Sequence, residues 1–140
     1  MTEFIVIDTS SILRIAKDDE DGEAELWAIN GKTLIAPESV EWETVNALTQ
    51  QVYKKHITKI QAEKALMFTI LRMRINYLPV NRASAMDIAI NRRIMSYDAF
   101  VLQCAIEQRL PLLTSEKDVK DRMPYHAREL GITLVELKTP

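Results

Sequence analysis

Phe4-Ile5-Val6-Ile7-Asp8-Thr9-Ser10-Ser11 sets four consecutive apolar residues, three of them β-branched, ahead of an aspartate and three hydroxyl side chains. An unbroken apolar run of this length reads as a strand buried on both faces, the habit of parallel sheets. Asp8 then falls where the strand ends, and Thr9 to Ser11 are positioned to cap the helix that follows. Ligands of open α/β sheets bind outside the carboxyl ends of the strands. Asp8 is therefore either a cap or part of a site.

Beyond that stretch the chain alternates. Ile12, Leu13, Ile15 and Ala16 predict a short helix that breaks in the acidic patch Asp18–Gly22, and a second helix runs from Glu23 to Ile29, stopped by Asn30-Gly31. Thr33–Pro37 reads as a short strand halted by proline. A helix is expected from Ser39 to about Tyr53. A strongly apolar one follows from Thr58 to Arg74, with an arc wide enough that the core should wrap it unless another chain covers part of it. Ile75–Val80 reads as a short edge strand and Ser84–Met95 as an amphipathic helix. The helix opening at Ser96, with Ser96 as its cap, is nearly all apolar and so buried. Leu110–Thr114 is the next buried strand, Ser115 with Asp118 fits a capping box, and a polar helical stretch ends at Leu130-Gly131 before a last strand from Ile132 to Leu137. The alternation predicts an α/β fold of three layers, α/β/α, around a central parallel sheet of four to five strands.

The chain of 140 residues suffices for one domain, spanning 1–140, with 47% apolar and 27% charged residues as in ordinary globular proteins. No apolar stretch is long enough to cross a bilayer, and a basic-then-apolar leader is lacking. The single cysteine, Cys104, excludes an internal disulfide, fits a reducing, cytoplasmic setting and reads as a small core residue. Net charge is −2 but uneven: residues 54–93 hold nine basic and two acidic residues, a candidate local site for polyanions or simply solvated helix faces.

Four carboxylates, Asp8, Glu43, Asp98 and Glu116, fall at or just past strand ends or at the head of a helix packed over them. Parallel connections bring those ends to one edge, so the four are expected to converge. Two carboxylates about 4 Å apart repel by roughly 4 kcal/mol at an effective dielectric near 20, so such a group needs a cation. Oxygen ligands without Cys or His suit Mg²⁺ or Mn²⁺, and sites of this kind perform in-line displacement at phosphorus.

The motifs Ile7-Asp8-Thr9-Ser10, Pro37-Glu38 with Glu43 and Asn46-Ala47-Leu48, Tyr97-Asp98-Ala99 and Leu112-Leu113-Thr114-Ser115-Glu116 resemble, in order and spacing, those of the PIN-domain nucleases. The likeness covers essentially the whole chain and is nearest to the VapC-type toxins of toxin–antitoxin pairs. It implies a Mg²⁺- or Mn²⁺-dependent endoribonuclease that cleaves RNA by metal-activated water, leaving 5′-phosphate and 3′-hydroxyl ends. Asp8, Glu43, Asp98 and Glu116 would be the catalytic, metal-binding carboxylates, with Ser10, Asn46 and Thr114 supporting them. The family's fourth acid is commonly aspartate; Glu116 is one methylene longer, which bears on whether one ion or two is held. The resemblance also implies a cognate antitoxin, whose tail inserts a basic residue among the carboxylates, and a homodimer. Arg14, Lys17 and Lys117 are the basic groups best placed for RNA phosphates. No histidine pair is needed, and His56 and His126 read as surface residues. Two alternatives remain: a catalytically weak PIN domain that binds RNA or protein, and an RNA-maturation nuclease of the same fold.

Overall fold

The computed structural model describes residues 3–17 and 22–138. Strand β1 (Glu3–Ile7) lies between β2 (Lys32–Pro37) and β4 (Leu112–Leu113), and β3 (Asn76–Leu78) adds to the far side of β2, giving the order β3-β2-β1-β4. Every pairing is parallel, with Val6 opposite both Ile35 and Leu112, and Ile35 opposite Asn76. A strand flanked on both sides and covered on both faces needs apolar side chains at successive positions, and Ile5, Val6 and Ile7 are all buried. Pro37 ends β2 and stands directly before the next helix, where its missing N–H costs nothing.

Helices cover both faces of the sheet, which is the expected α/β/α sandwich. They are α1 (Thr9–Ala16), α2 (Glu23–Ile29), α3 (Glu38–Tyr53), α4 (Lys59–Phe68), α5 (Arg82–Arg92), α6 (Ser96–Gln108) and α7 (Met123–Glu129). Helix α6 packs on β1 and β2 through its buried Val101, Leu102 and Ala105, and α5 packs on α6. Cys104 is buried in α6, as its composition suggested. A smaller apolar cluster of Ala16, Leu48 and Ala65 joins α1, α3 and α4.

Several expectations need correction. The long helix over 58–74 is two pieces: α4, opened by a Thr58/Gln61 capping box, then a π-helical turn over Thr69–Met73 that ends at Arg74 with φ 49°. The core does not wrap this segment, since Ile60, Met67, Ile70 and Leu71 are all exposed. Ser96 is the first residue of α6 rather than its cap; Met95 holds that position without a side-chain bond. Ser115 and Asp118 form no capping box, because Ser115 bonds to Glu25 and Asp118 pairs with Arg128. The final strand reduces to one parallel bridge, Leu112 with Leu134, flanked by backbone bonds from Leu112 N to Thr133 O and from Val135 N to Leu112 O, each 2.9 Å. His56 is exposed, but His126 is buried, its Nδ1 3.0 Å from Arg92 Nη1 and its ring edge-on to Tyr125. Of the acidic patch, residues 18–21 lie outside the described residues. No helix among the described residues is long and apolar enough to cross a membrane.

Candidate active site

Asp8 sits one residue beyond β1, 2% exposed, with extended backbone geometry at the head of α1. The cap reading holds on one oxygen, and the other oxygen is differently placed. Oδ1 accepts the Ser11 N–H at 3.1 Å, which caps α1, and the Ser10 hydroxyl at 2.7 Å. Oδ2 is buried with no hydrogen-bond partner among the described residues. Thr9 and Ser11 therefore do not cap; Thr9 is helical, and its hydroxyl donates to Glu43 Oε1. A buried carboxylate oxygen left without a donor is costly unless a proton or a cation meets it.

Glu43 lies in the second turn of α3, the helix that leaves the carboxyl end of β2, and Asp98 in the first turn of α6. Glu116 follows β4 by three residues. Its Oε1 accepts from Arg122 Nε at 3.2 Å and from the Met123 N–H at 3.3 Å, so it also satisfies an orphan amide at the start of α7. Thr114 is buried, its Oγ1 3.4 Å from Ser10 Oγ and accepting the Glu116 N–H at 3.3 Å. Because Ser10 gives its one proton to Asp8, the single Thr114 proton faces two acceptors, Ser10 Oγ and the Asp8 carboxyl.

The electrostatics tie these groups into one field. Burial pushes the Asp8 carboxyl up to about 7, against the hydroxyls of Thr114 and Ser10 and the Ser11 amide, with the Glu116 charge adding to the rise. Burial likewise raises Asp98 to about 6, reinforced by Glu116 and Glu43 and opposed by Arg122. Glu43 is raised by burial, with Thr9 pulling down and Glu116 pushing up. Glu116 thus adds its charge to each of the other three, and Glu43 to Asp98.

Among the described residues no three His, Cys, Asp or Glu side chains are already drawn close enough to hold an ion. The chemistry of the donors nonetheless fits a hard divalent cation: they are oxygens, Asp8 Oδ2 is orphaned, and three of the carboxyls are destabilised as anions where they stand. Glu43 and Glu116 both accept their present bonds on Oε1, Glu43 from Thr9 and Glu116 from Arg122 and Met123.

Asn46 is exposed on α3, one turn beyond Glu43, and Lys117 is exposed beside Glu116. Lys17 closes α1 and lines a cleft of about 630 Å³ together with Gln51, His56, Lys64 and Phe68. Arg14 turns toward α2, its Nε 3.0 Å from Glu25 Oε2. Sequence reading missed Arg122, Thr9, Ser11, Ser115 and Glu25. Thr9 and Ser11 read locally as caps, Thr9 and Ser115 stand in the quoted motifs without a role of their own, and the spacing of six between Glu116 and Arg122 carries no periodic signal.

The chain matches a family model described as the PIN domain over residues 5–122. Among solved structures it is similar to PAE2754 of Pyrobaculum aerophilum, at TM-score 0.69 and 19% identity over 96% of this chain and 84% of that one. It is also similar to the Mycobacterium tuberculosis toxin VapC20, which cleaves the sarcin–ricin loop, at TM-score 0.58 and 13% identity over 84% of this chain and 92% of that one. At these identities the two structures speak for the fold. No curated protein matches the chain by sequence.

Proposed function

Since the chain belongs to the PIN domain family, we propose that it is a metal-dependent endoribonuclease and the toxin of a toxin–antitoxin pair. One observation supports this reading: Asp8 Oδ2 is buried without a hydrogen-bond partner among the described residues, and the Glu116 charge bears on Asp8, Glu43 and Asp98 alike. A structural role explains a buried aspartate that caps a helix, but it does not explain a second, buried oxygen left without a donor while the Glu116 charge is set against it.

Asp8, Glu43 and Asp98 would hold Mg²⁺ or Mn²⁺, with Glu116 completing the set if it leaves Arg122. The chemistry supplied by such an ion is activation of water and neutralisation of charge gathering on the phosphoryl oxygens. The chain's own residues prepare the place. Ser10 fixes the orientation of Asp8, Thr9 that of Glu43, and Thr114 braces Ser10 while holding the Glu116 amide. Lys117, on the exposed side of Glu116, is suited to an RNA phosphate, with Lys17 further along α1. Arg14 is less available for that role, being turned to Glu25. The exposed Ile60, Met67, Ile70 and Leu71 support a homodimer as the state in solution. An antitoxin segment carrying a basic residue would complement the acidic edge directly.

Cleavage of RNA by the purified protein in Mn²⁺, with Asp8→Asn as the control, tests the reading, and growth arrest on expression tests the toxin role. Cleavage and arrest by the wild type alone are expected; equal behaviour of the two proteins would overturn both. The arginine-held Glu116 favours a second reading, a PIN domain that binds RNA or protein without cutting it. Calorimetric titration with Mn²⁺ separates them, because only the nuclease requires the ion.

A further inference from the structure

Helix α2 buries one residue, and it is a glutamate. Leu26 and Trp27 on the same helix are about half exposed, while Glu25 is 2% exposed. Placing a carboxylate where an apolar side chain would anchor the helix more cheaply calls for a reason. The bonds around it supply one. Ser115 Oγ donates to Glu25 Oε2 at 2.5 Å, and the same oxygen lies 3.0 Å from Arg14 Nε, whose charge balances it. Having given its only proton to Glu25, Ser115 Oγ must accept from Ser11 Oγ, 2.7 Å away. Meanwhile the Ser115 N–H donates to Ser10 Oγ at 2.9 Å, and Ser10 Oγ donates to Asp8 Oδ1 at 2.7 Å. Ser115 is flanked by Thr114 and Glu116, so fixing it also fixes both neighbours. Each proton in this chain has one available direction, and the line of donation ends on a carboxylate at either end.

From this geometry we infer that Glu25 is a positioning residue of the carboxylate edge, acting through Ser115 to hold Ser10, Thr114 and Glu116 in register with Asp8. The device spans three segments: α1, α2 and the loop after β4. It rests on the nuclease reading only where RNA cleavage is the readout.

The test uses Glu25→Ala, Ser115→Ala, their double variant and Glu25→Gln in the full chain. Three quantities are measured: amide hydrogen exchange at positions 115 and 116 without metal, Mn²⁺ affinity by calorimetry, and kcat and KM on RNA. Each single alanine variant is expected to speed exchange at both amides about tenfold and to weaken Mn²⁺ binding by a similar factor. It should lower kcat while leaving KM nearly unchanged. The double variant should be no worse than either single one, since both cut the same line. Glu25→Gln, which keeps an oxygen for the Ser115 hydroxyl, should recover most of the loss. Unchanged exchange at the two amides in folded Ser115→Ala, or additive losses in the double variant, would overturn the inference. Should the wild type fail to cleave RNA while the amides still respond, the nuclease reading falls and the positioning role stands. If Asp8→Asn abolishes cleavage while the amides are indifferent to Glu25 and Ser115, the reverse holds.

Discussion

Two sets of acids border the loop after β4, and they are treated in opposite ways. Glu116 and Asp118 are each met by an arginine, Arg122 and Arg128, as surface carboxylates commonly are. Asp8, Glu43 and Asp98 have no ion pair among the described residues; hydroxyls and amides hold the first two, and burial works against the charge of all three. The contrast separates an acid that completes the fold from one kept in waiting. The first is neutralised within the chain, whereas the second has no cationic side chain paired with it among the described residues. Glu116 stands between the sets, paired with Arg122 yet acting on every member of the other group.

The sharpest way to break this distinction is Asp98→Asn. Loss of RNA cleavage by about a hundredfold or more is expected, while a thermal melt in chelator stays level or rises because repulsion is relieved. A large drop in melting temperature would mean that Asp98 belongs with the structural acids. Next in size is the pH dependence of the metal-free protein. Asp8 and Asp98 keep their protons in the folded chain to about 7 and about 6, against an ordinary 3.8. Between those limits the folded state binds more protons than the unfolded one, so stability falls as pH rises from about 4 to about 7. For Asp8 the loss is on the order of 4 kcal/mol. Urea unfolding in chelator at pH 5 and pH 8 should show it, Asp8→Asn should flatten it, and saturating Mn²⁺ should offset it. A profile that rises across this range would contradict the raised values.

Smaller effects probe the arginine-paired side. Glu116→Gln should reduce cleavage about tenfold and cost about 1 kcal/mol from the weakened contact at the head of α7. Wild-type kcat in this variant would remove Glu116 from the site. Asp118→Ala should change neither cleavage nor melting temperature measurably, since its pairing with Arg128 is fully exposed. A clear loss of activity there would blur the line between the two sets.

How much of this was readable beforehand follows from the range of the forces involved. The sheet was legible at Ile5–Ile7 and Leu34–Ala36 because burial on both faces leaves a continuous apolar run. Parallel topology also made the placement of Asp8, Glu43 and Glu116 legible, since each follows the carboxyl end of a strand or sits on the helix that leaves it. What stayed hidden depends on partners far apart in sequence. His126 read as surface because nothing local announces Arg92, which reaches it from α5. Ser115 fits a capping box by spacing, but Glu25, ninety residues earlier, takes its proton. The segment after Gly131 has the composition of a strand, yet it meets β4 where that strand is two residues long, so only one bridge forms.

The lone sulfhydryl of α6 has a practical consequence. Cys104 is 1% exposed, and burial with the nearby Glu107 charge pushes its thiol up to about 12. At neutral pH it stays protonated and shielded, so maleimide reagents should pass it by. A single cysteine introduced at exposed Lys117 would then be the one site to take a fluorophore, giving an optical report beside the acidic edge with the native thiol left in place.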